Sequence, residues 1–143
     1  DYQKYETEVF DLYSLQYSPI NSEKNFYRGE GGAFYYFIYP NLMLNIMPGR
    51  LQTNQIIPIT EKETLVVFDY FYDDIKSKPG LKSIKEDILT SDKIQNEDIE
   101  ICEKVQKGVS SITYNKGRFS VECETGVHHF QNLLRMDFKK YTH

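Results

Sequence analysis

Tryptophan is absent from this 143-residue sequence, and cysteine is rare, with only Cys102 and Cys123. Two cysteines without CxxC spacing are too few for a disulfide framework. We therefore expect reduced thiols in a cytoplasmic protein, while a single bridge between the two stays open.

Long apolar runs and clusters of positive charge are missing as well. No run approaches the roughly 20 apolar residues of a membrane-spanning helix. The 17 basic and 21 acidic residues are interspersed and give a net charge of -4. Because phosphate contacts need clustered cations, the sequence predicts neither a nucleic-acid-binding protein nor a membrane protein.

Aromatic residues are abundant, with twelve Tyr and nine Phe making up 15% of the chain. Tyrosine combines a large apolar ring with a polar tip, which suits a sheet that curves around a pocket. A tyrosine-rich strand surface without a pocket has the same composition, so both interpretations stay open.

The first half of the chain alternates as β-strands do. Residues 6–17 are predicted as one strand and residues 18–32 as a loop, because Pro, Asn and Gly interrupt regular structure there. Four more strands are predicted over residues 33–39, 41–47, 51–59 and 64–72. Their connections are short, which predicts antiparallel neighbours.

The second half changes to helical spacing. Residues 82–109 are predicted as helix, and Asp92 with Gln95 resembles a capping box, so a break near Thr90 and Ser91 would make two helices. An extended piece over residues 118–122 precedes a last helix that Thr125 caps. The apolar stripe of this helix is Val127, Phe130, Leu134 and Phe138.

Strands followed by helices predict an α+β fold, in which an antiparallel sheet packs on helices. A curved antiparallel sheet around a long C-terminal helix is the helix-grip arrangement of START and Bet v 1-like domains. Folds of this kind enclose an apolar cavity, so we expect a ligand pocket here.

One face of the predicted long helix carries a carboxylate among apolar and neutral side chains. Its members follow at spacings of three or four and are Ser91, Gln95, Asp98, Cys102, Val105 and Val109. A carboxylate on a buried face needs a partner, and a metal ion is one such partner. From the pattern alone, the favoured explanation of Asp98 is that it lies near a helix start, where solvent or the helix dipole stabilises it.

Histidines and asparagines offer further candidates. His128 and His129 are adjacent, so they diverge by about 100° on a helix and are not expected to bind one metal ion together. We expect one to be buried and the other to lie at the surface. Asn41, Asn45 and Asn54 interrupt apolar strands, where they either orient a ligand or face water.

Several ordered motifs carry a resemblance to a known family. They are FIYPNLMLN at residues 37–45, TNQIIP at 53–58, VVFDYF at 66–71, QNEDIEICEKVQKG at 95–108, YNKGR at 114–118 and HHF at 128–130. Together they resemble the catalytic domain of Rieske-type non-haem iron oxygenase α subunits, nearest to the choline- and carnitine-type monooxygenases. The likeness covers residues 5 to 139.

The resemblance implies mononuclear Fe(II) held by two His and one carboxylate, the facial triad that leaves positions open for O₂ and substrate. Asp98 matches the carboxylate, and a slip of one residue would make it Glu97. It also implies a [2Fe–2S] Rieske cluster, fed with NAD(P)H-derived electrons by a reductase or ferredoxin. The enzyme would hydroxylate an organic substrate, a quaternary amine or an aromatic, and related α subunits form homotrimers.

From the resemblance we expect a substrate pocket between the strands and the long helix. The candidate pocket residues are Asn41, Asn45, Tyr39, Phe68, Tyr70, Gln95 and Cys102. Aromatic faces attract quaternary ammonium cations, which suits the tyrosines.

The chain also departs from the family pattern. The Rieske ligand pairs are missing, and the three histidines do not fall at the family's iron-binding positions. We therefore expect residues 1–143 to be the C-terminal part of the catalytic domain, incomplete at the N-terminus, weak in iron binding and inactive alone. The alternative is a non-catalytic helix-grip module that keeps the cavity without the metal.

Overall fold

The computed structural model describes residues 5–20 and 32–141 of the chain. The chain divides into two compact units. The first combines Asp1–Asp73 with Phe119–His143, and the second is Asp74–Arg118.

The first unit contains a six-stranded sheet. Its strands are β1 Glu6–Val9, β2 Tyr13–Pro19, β3 Gly32–Ile38, β4 Leu42–Met47, β5 Arg50–Pro58 and β6 Thr64–Tyr72. They lie side by side in chain order, and every neighbouring pair is antiparallel. The predicted antiparallel arrangement is confirmed, and β3 to β6 match the predicted strands to within one residue at either end.

The prediction of one strand over residues 6–17 is wrong. The chain turns between β1 and β2, and the Phe10 amide closes the turn by donating to the Tyr13 carbonyl at 2.8 Å. Val9 pairs with Ser14, so the two strands form a hairpin. The strand-like alternation of side chains in the sequence continues through this turn, so the turn was not predicted. Of the predicted loop over residues 18–32, Ser18 and Pro19 extend β2 and Gly32 opens β3, while residues 21–31 lie outside the described residues.

Pro48 and Gly49 form the short connection that was predicted between the strands at residues 41–47 and 51–59. Met47 pairs with Arg50, so a two-residue connection joins β4 and β5. Gly49 has φ of 73°, a conformation that side chains with a Cβ rarely adopt. The Asp73 amide donates to the Gly49 carbonyl at 3.1 Å, which fixes the turn to the end of β6.

The pairing register shows which residues lie on each face of the sheet, because paired residues point to the same side. One row across the sheet is Gln16, Tyr35, Asn45, Gln52 and Tyr70. A second row is Ser14, Phe37, Met43, Asn54 and Phe68. We call the side that carries these two rows the helix-side face. Leu15 and Phe34, the largest buried apolar residues described, alternate onto the other side.

Helix α2, Thr125–Tyr141, packs on the helix-side face. Its Phe130 ring meets the Phe37 ring edge-on, with 4.9 Å between the centroids. The helix is confirmed, but the predicted cap at Thr125 is wrong, because the His128 amide donates to the Glu124 carbonyl at 2.9 Å and Thr125 is already the first helical residue. Val127 and Phe138 of the predicted stripe are exposed. Of the extended piece predicted over residues 118–122, residues 118–120 have no regular structure and residues 121–122 form a turn, where the Glu124 amide donates to the Ser120 carbonyl at 3.1 Å.

The second unit contains helix α1, Lys78–Val109, which is continuous over 32 residues. The predicted break and the capping box at Asp92 are therefore wrong. Thr90 Oγ1 donates to the Glu86 carbonyl at 2.9 Å, so this polar position is accommodated inside the helix. The N-cap is Ser77, whose side chain accepts from the Gly80 amide, and Pro79 lies in the first turn.

The predicted buried face of α1 is wrong over most of its length. Ser91 is buried and Gln95 half-buried, but Asp98 and Cys102 are exposed, as is Val105 at 56%. An apolar stripe is buried only where a second element covers it, and Asp74–Arg118 contains a single regular element. Neither helix of the described residues has the length and apolarity that a membrane span requires.

Candidate functional site

A cavity of about 320 Å³ lies between the helix-side face of the sheet and the first turns of α2. Its polar lining comes from Thr7, Ser14, Gln16, Tyr35, Asn45 and Cys123. Its apolar lining includes Phe37, Met43, Val127 and Phe130. The volume is at the lower end of the range for pockets that hold small organic ligands, ~300–1,000 Å³.

Tyr35 lies in the centre of the polar wall. Gln16 pairs with it on one side and Asn45 on the other, so the three side chains form a row across β2, β3 and β4. Burial and the nearby Tyr5 raise the pKa of Tyr35, while Arg50 acts in the opposite direction. Tyr35 is therefore a neutral phenol at physiological pH, and the row offers hydrogen-bond donors and acceptors without charge.

Aromatic rings form the apolar part of the cavity lining. Phe37 and Phe130 meet edge-on, so the face of one ring is turned to the edge of the other. Among the described residues that line the cavity, none is charged. The lining therefore offers aromatic and apolar surface beside neutral hydrogen-bonding groups.

The polar row continues beyond the cavity into two buried amides on β5. Gln52 is 4% exposed and Asn54 is 6% exposed. Gln52 Nε2 donates to Asn54 Oδ1 at 2.9 Å, so each side chain satisfies part of the other's hydrogen-bonding capacity. Gln52 pairs with Asn45 and thereby extends the row Gln16–Tyr35–Asn45 towards β6. The structure resolves the alternatives for Asn54, which is buried and does not face water.

Only Asn45 of the seven predicted pocket residues lines this cavity. Asn41 Nδ2 donates to the Ile56 carbonyl at 2.8 Å, a contact that holds the start of β4 against β5. The Tyr39 hydroxyl donates to Asp137 Oδ2 at 2.6 Å, and its ring lies 6.0 Å from that of Phe130. Tyr39 therefore fastens α2 to the sheet beside the cavity.

Phe68 and Tyr70 lie on the helix-side face but further across the sheet, paired with Asn54 and Gln52. Gln95 and Cys102 lie in the second unit, on α1, where Cys102 is exposed. Their predicted role in a substrate pocket stays a prediction.

The predicted iron ligand Asp98 is on α1 and exposed. His128 is exposed on α2, where Asn132 Nδ2 lies 3.3 Å from its Nε2. His129 is half-buried, and its Nε2 is enclosed without a hydrogen-bond partner among the described residues. The expectation of one buried and one surface histidine is thus confirmed in outline.

A mononuclear iron site needs three protein ligands in one place. Within residues 5–20 and 32–141, no three His, Cys, Asp or Glu side chains come together as a metal site. The described residues therefore do not fit a complete iron centre, and Asp98 would be one ligand of a set that needs two more donors.

Sequence reasoning missed Gln16, Tyr35 and Phe130 as cavity residues. A signal for Gln16 was present, because it is a polar residue within an alternating strand, as Asn45 is in β4. Because the turn between β1 and β2 was not predicted, the sequence did not indicate that Gln16 and Asn45 lie on the same face of the sheet. Phe130 was predicted on the inner stripe of the last helix, but pattern alone did not indicate what it contacts.

The catalytic-domain model of the ring hydroxylating alpha subunit matches residues 9–137. This chain belongs to the ring hydroxylating alpha subunit family. The resemblance inferred from the ordered motifs is thereby confirmed, and so is the α+β fold class.

Two curated relatives of this alpha-subunit chain have named activities. The chloroplastic choline monooxygenase of Arabidopsis thaliana is 38% identical over 146 residues, covering 97% of this chain and 33% of the relative. The carnitine monooxygenase oxygenase subunit of Escherichia coli K12 is 30% identical over 140 residues, covering 89% and 37%. The chain thus spans about a third of the length of the curated relatives it matches.

A solved structure has the same fold as this alpha-subunit chain. The quaternary ammonium Rieske monooxygenase CntA, in complex with an inhibitor, superposes with a TM-score of 0.77 at 21% identity. The superposition covers 95% of this chain and 38% of that one. At this identity the likeness concerns the fold alone.

Proposed function

We propose that residues 1–143 form the C-terminal part of the catalytic domain of a Rieske-type oxygenase that hydroxylates a quaternary amine. The whole protein would use O₂ and NAD(P)H-derived electrons, delivered by a reductase or ferredoxin. Supporting relatives are the choline and carnitine monooxygenases, which together suggest this substrate class.

The observation that carries the proposal is the uncharged, ring-walled cavity in a chain of this family. Phe37 and Phe130 provide aromatic surface, and Tyr35 adds a third ring with a neutral hydroxyl. Aromatic faces attract quaternary ammonium groups by about 0.5–2 kcal/mol each, depending on how fully water is excluded. An aromatic substrate would find the same rings but would leave the row of amides unused.

For iron we propose Asp98 as the single carboxylate ligand contributed by this segment. Fe(II), when bound, would supply the activation of O₂ that the protein side chains cannot provide. The remaining ligands and the [2Fe–2S] cluster would come from parts of the protein beyond these 143 residues. Assembly as a homotrimer and a cytoplasmic location stay predictions of the same kind.

The proposal is tested with the whole protein, supplied with Fe(II), NADPH and a reductase. Oxygen consumption that depends on choline or carnitine, with an oxidised product detected by mass spectrometry, is the expected result. Asp98→Asn should abolish turnover and lower the iron content, because an amide is a poorer Fe(II) ligand than a carboxylate.

Glu97→Gln is the matched control, since it changes the neighbouring carboxylate on α1 in the same way. It should leave iron content and turnover close to the unmodified protein. Loss of iron in Glu97→Gln together with retention in Asp98→Asn would move the ligand by one residue. Turnover of aromatic substrates alone would refute the proposed substrate class.

A second candidate is a non-catalytic helix-grip module that binds a small organic molecule. It is favoured by the cavity, which the first unit forms without any group of metal-binding side chains among the described residues. Ligand binding by the whole protein, without iron and without turnover, would support this function over the oxygenase.

A further inference from the structure

The two edges of the six-stranded sheet differ in how they are protected. β1 is four residues long, two of them the acids Glu6 and Glu8, and α2 packs against it. β6 is nine residues long, contains no proline, glycine or lysine, and carries one charge, on Asp69. In the sheet formed by the described residues, β6 has β5 as its one neighbour. Native sheets protect an edge by shortness, charge, proline or a covering element, because an open edge pairs with another strand. β6 therefore has little protection against such pairing.

Hydrogen bonds around β5 show which of its residues face β6. The Ile59 amide donates to the Glu63 carbonyl at 3.0 Å, just before β6 begins. The Ile56 amide points the other way and donates to the Asn41 carbonyl at 2.9 Å, on the β4 side. Backbone groups alternate in direction along a strand, so the odd-numbered residues of β5 bond to β6 and the even-numbered residues bond to β4.

The open edge of β6 follows from this alternation. Each odd-numbered residue of β5 pairs with an odd-numbered residue of β6, so the odd half of β6 is bonded to β5. The even half, which includes Val66 and Phe68, directs its amides and carbonyls away from β5. Apolar side chains accompany this edge, since Leu65 is 49% exposed and Phe71 is 55% exposed. The edge thus combines hydrogen-bonding backbone with apolar surface, which another strand would cover.

We propose that two copies of this chain pair antiparallel along β6, with Phe68 opposite Phe68 of the second copy. The two sheets then form one continuous sheet about a two-fold axis. This register places Leu65 opposite Phe71 of the second copy, so two exposed apolar side chains cover each other. It also places Val66 opposite Tyr70. Aliphatic and aromatic pairs of this kind are the cross-strand contacts that stabilise sheets.

The pattern of β6 favours a second copy in this register. A two-fold contact needs a surface that is complementary to itself, and Leu65 with Phe71 meets this condition. A register with Asp69 opposite Asp69 would be destabilised by like charges. In the proposed register Asp69 lies opposite Val67, while Thr53 Oγ1 of its own sheet donates to Asp69 Oδ2 at 3.5 Å. The contact closes with two copies, so it differs from the predicted homotrimer, and it does not depend on the proposed catalytic function.

The test is sedimentation equilibrium of the 143-residue chain over a wide range of concentrations. We expect the mass to rise from that of the 16.9 kDa chain to twice that value. Val66→Pro removes an amide that points to the open edge, so it should weaken dimerisation at least about tenfold while the sheet stays folded. A monomer at every concentration, a trimer, or a dimer that Val66→Pro leaves unchanged would overturn the inference.

Two matched controls separate the edge from folding and from exposed apolar surface elsewhere. The Val67 amide faces β5, so Val67→Pro should lower the melting temperature, whereas Val66→Pro should change it little. Equal losses in the two variants would mean that the Val66 amide is not on the open edge. Ile101→Lys changes a side chain of α1 that is 59% exposed and should leave dimerisation unchanged. Loss of the dimer in Ile101→Lys would assign the contact to α1 and overturn the inference.

A pair of charge changes tests the register with substitutions at exposed positions. Leu65→Lys should weaken dimerisation, because it places a charge against the apolar Phe71 of the second copy. Adding Phe71→Glu should restore it, because the two new charges then lie opposite each other between the copies. Failure of the double variant to recover would overturn the register.

A strand from outside residues 1–143 is the competing occupant of this edge, and the whole protein distinguishes the two. With self-pairing, Val66→Pro should reduce the mass of the whole protein's assembly and leave its melting temperature nearly unchanged. A lower melting temperature with an unchanged mass would assign the edge to a strand of the same polypeptide and overturn self-pairing. Turnover of a quaternary amine judges the proposed function separately, so neither result decides it.

Discussion

The sheet with α2 and the long helix α1 are built on different principles. The sheet buries apolar residues at its centre, with Phe34 only 2% exposed, and each strand is tied to its neighbours. Helix α1 has one buried residue, Ser91, and its order comes from local hydrogen bonds and caps. The cavity therefore depends on long-range packing in the first unit, whereas Asp98 lies on a helix that is specified by local interactions.

The largest effect should come from the core of the sheet. Phe34→Ala removes a buried ring that packs 5.1 Å from the Tyr17 ring. We expect a loss of about 3–5 kcal/mol in the free energy of unfolding, from lost burial and from the void left behind. Urea denaturation followed by circular dichroism measures it.

The matched control is Phe71→Ala on β6, where the ring is 55% exposed. It should cost less than about 1 kcal/mol, because little surface is returned to water. Equal losses in the two variants would contradict the description of the sheet centre as the main core.

A proline in α1 should have the next largest effect. Lys93→Pro tests the continuity of the helix, because Lys93 would be a first-turn position if a helix began at Asp92. In the continuous helix the substitution removes a backbone hydrogen bond and should cost about 3 kcal/mol or more in local stability. Helical signal and protease resistance around Thr90 measure this.

The natural Pro79, which α1 tolerates in its first turn, provides the internal comparison for that result. Little change in helical content for Lys93→Pro would support the two-helix interpretation and contradict the description of α1 as one continuous helix.

A smaller effect is expected at the start of α1. Ser77 Oγ accepts a hydrogen bond from the Gly80 amide at 3.0 Å and bonds to the Asp74 carboxylate. Ser77→Ala should therefore destabilise α1 by about 1 kcal/mol, visible as fraying in hydrogen exchange. Ser83→Ala, at an exposed helix position, serves as the control and should show no such fraying.

The smallest effect concerns the contact between α2 and the sheet. Hydrogen bonds from Lys140 and from Tyr39 lower the pKa of Asp137 from its usual 3.8. Because the folded pKa is depressed, this contact stabilises the fold above the unfolded pKa and is lost as pH falls through the folded pKa. Asp137→Asn should remove that acid-dependent part of the stability profile.

Tyr39 responds at the opposite end of the pH range. Its hydrogen bond to Asp137 raises its pKa from 10.0, so the stabilisation is present below pH 10 and is lost as pH rises through the folded pKa. Tyr39→Phe should flatten the alkaline part of the same profile. An unchanged profile in both variants would mean that the contact does not fasten α2 to the sheet.

The sequence predicted some elements of this molecule closely and missed others. Strands β3 to β6 were predicted closely because their alternation ends at clear turn residues such as Pro48 and Gly49. The β1–β2 turn was missed because Phe10 and Leu12 keep the alternation going through it. In α1, polar residues at Thr90 and Ser91 suggested a break, but a threonine hydroxyl that bonds within the helix leaves the backbone continuous.

The candidate site was predicted less completely than the fold. Asn45 was identified because an amide interrupts an apolar strand, which is a local signal. Gln16 and Phe130 depend on which strands and helices meet, and no local pattern contains that information. Asp98 came from the family resemblance, and its role as a ligand stays a prediction.

We propose that this chain contributes a ligand cavity and the iron ligand Asp98, while the remaining iron ligands come from other parts of the protein. Anaerobic titration of the purified 143-residue chain with Fe(II), beside Asp98→Ala, tests it most directly. We expect no tight, stoichiometric iron binding by either protein. One tightly bound iron per chain that is lost in Asp98→Ala would contradict it, because residues of this chain would then complete the site.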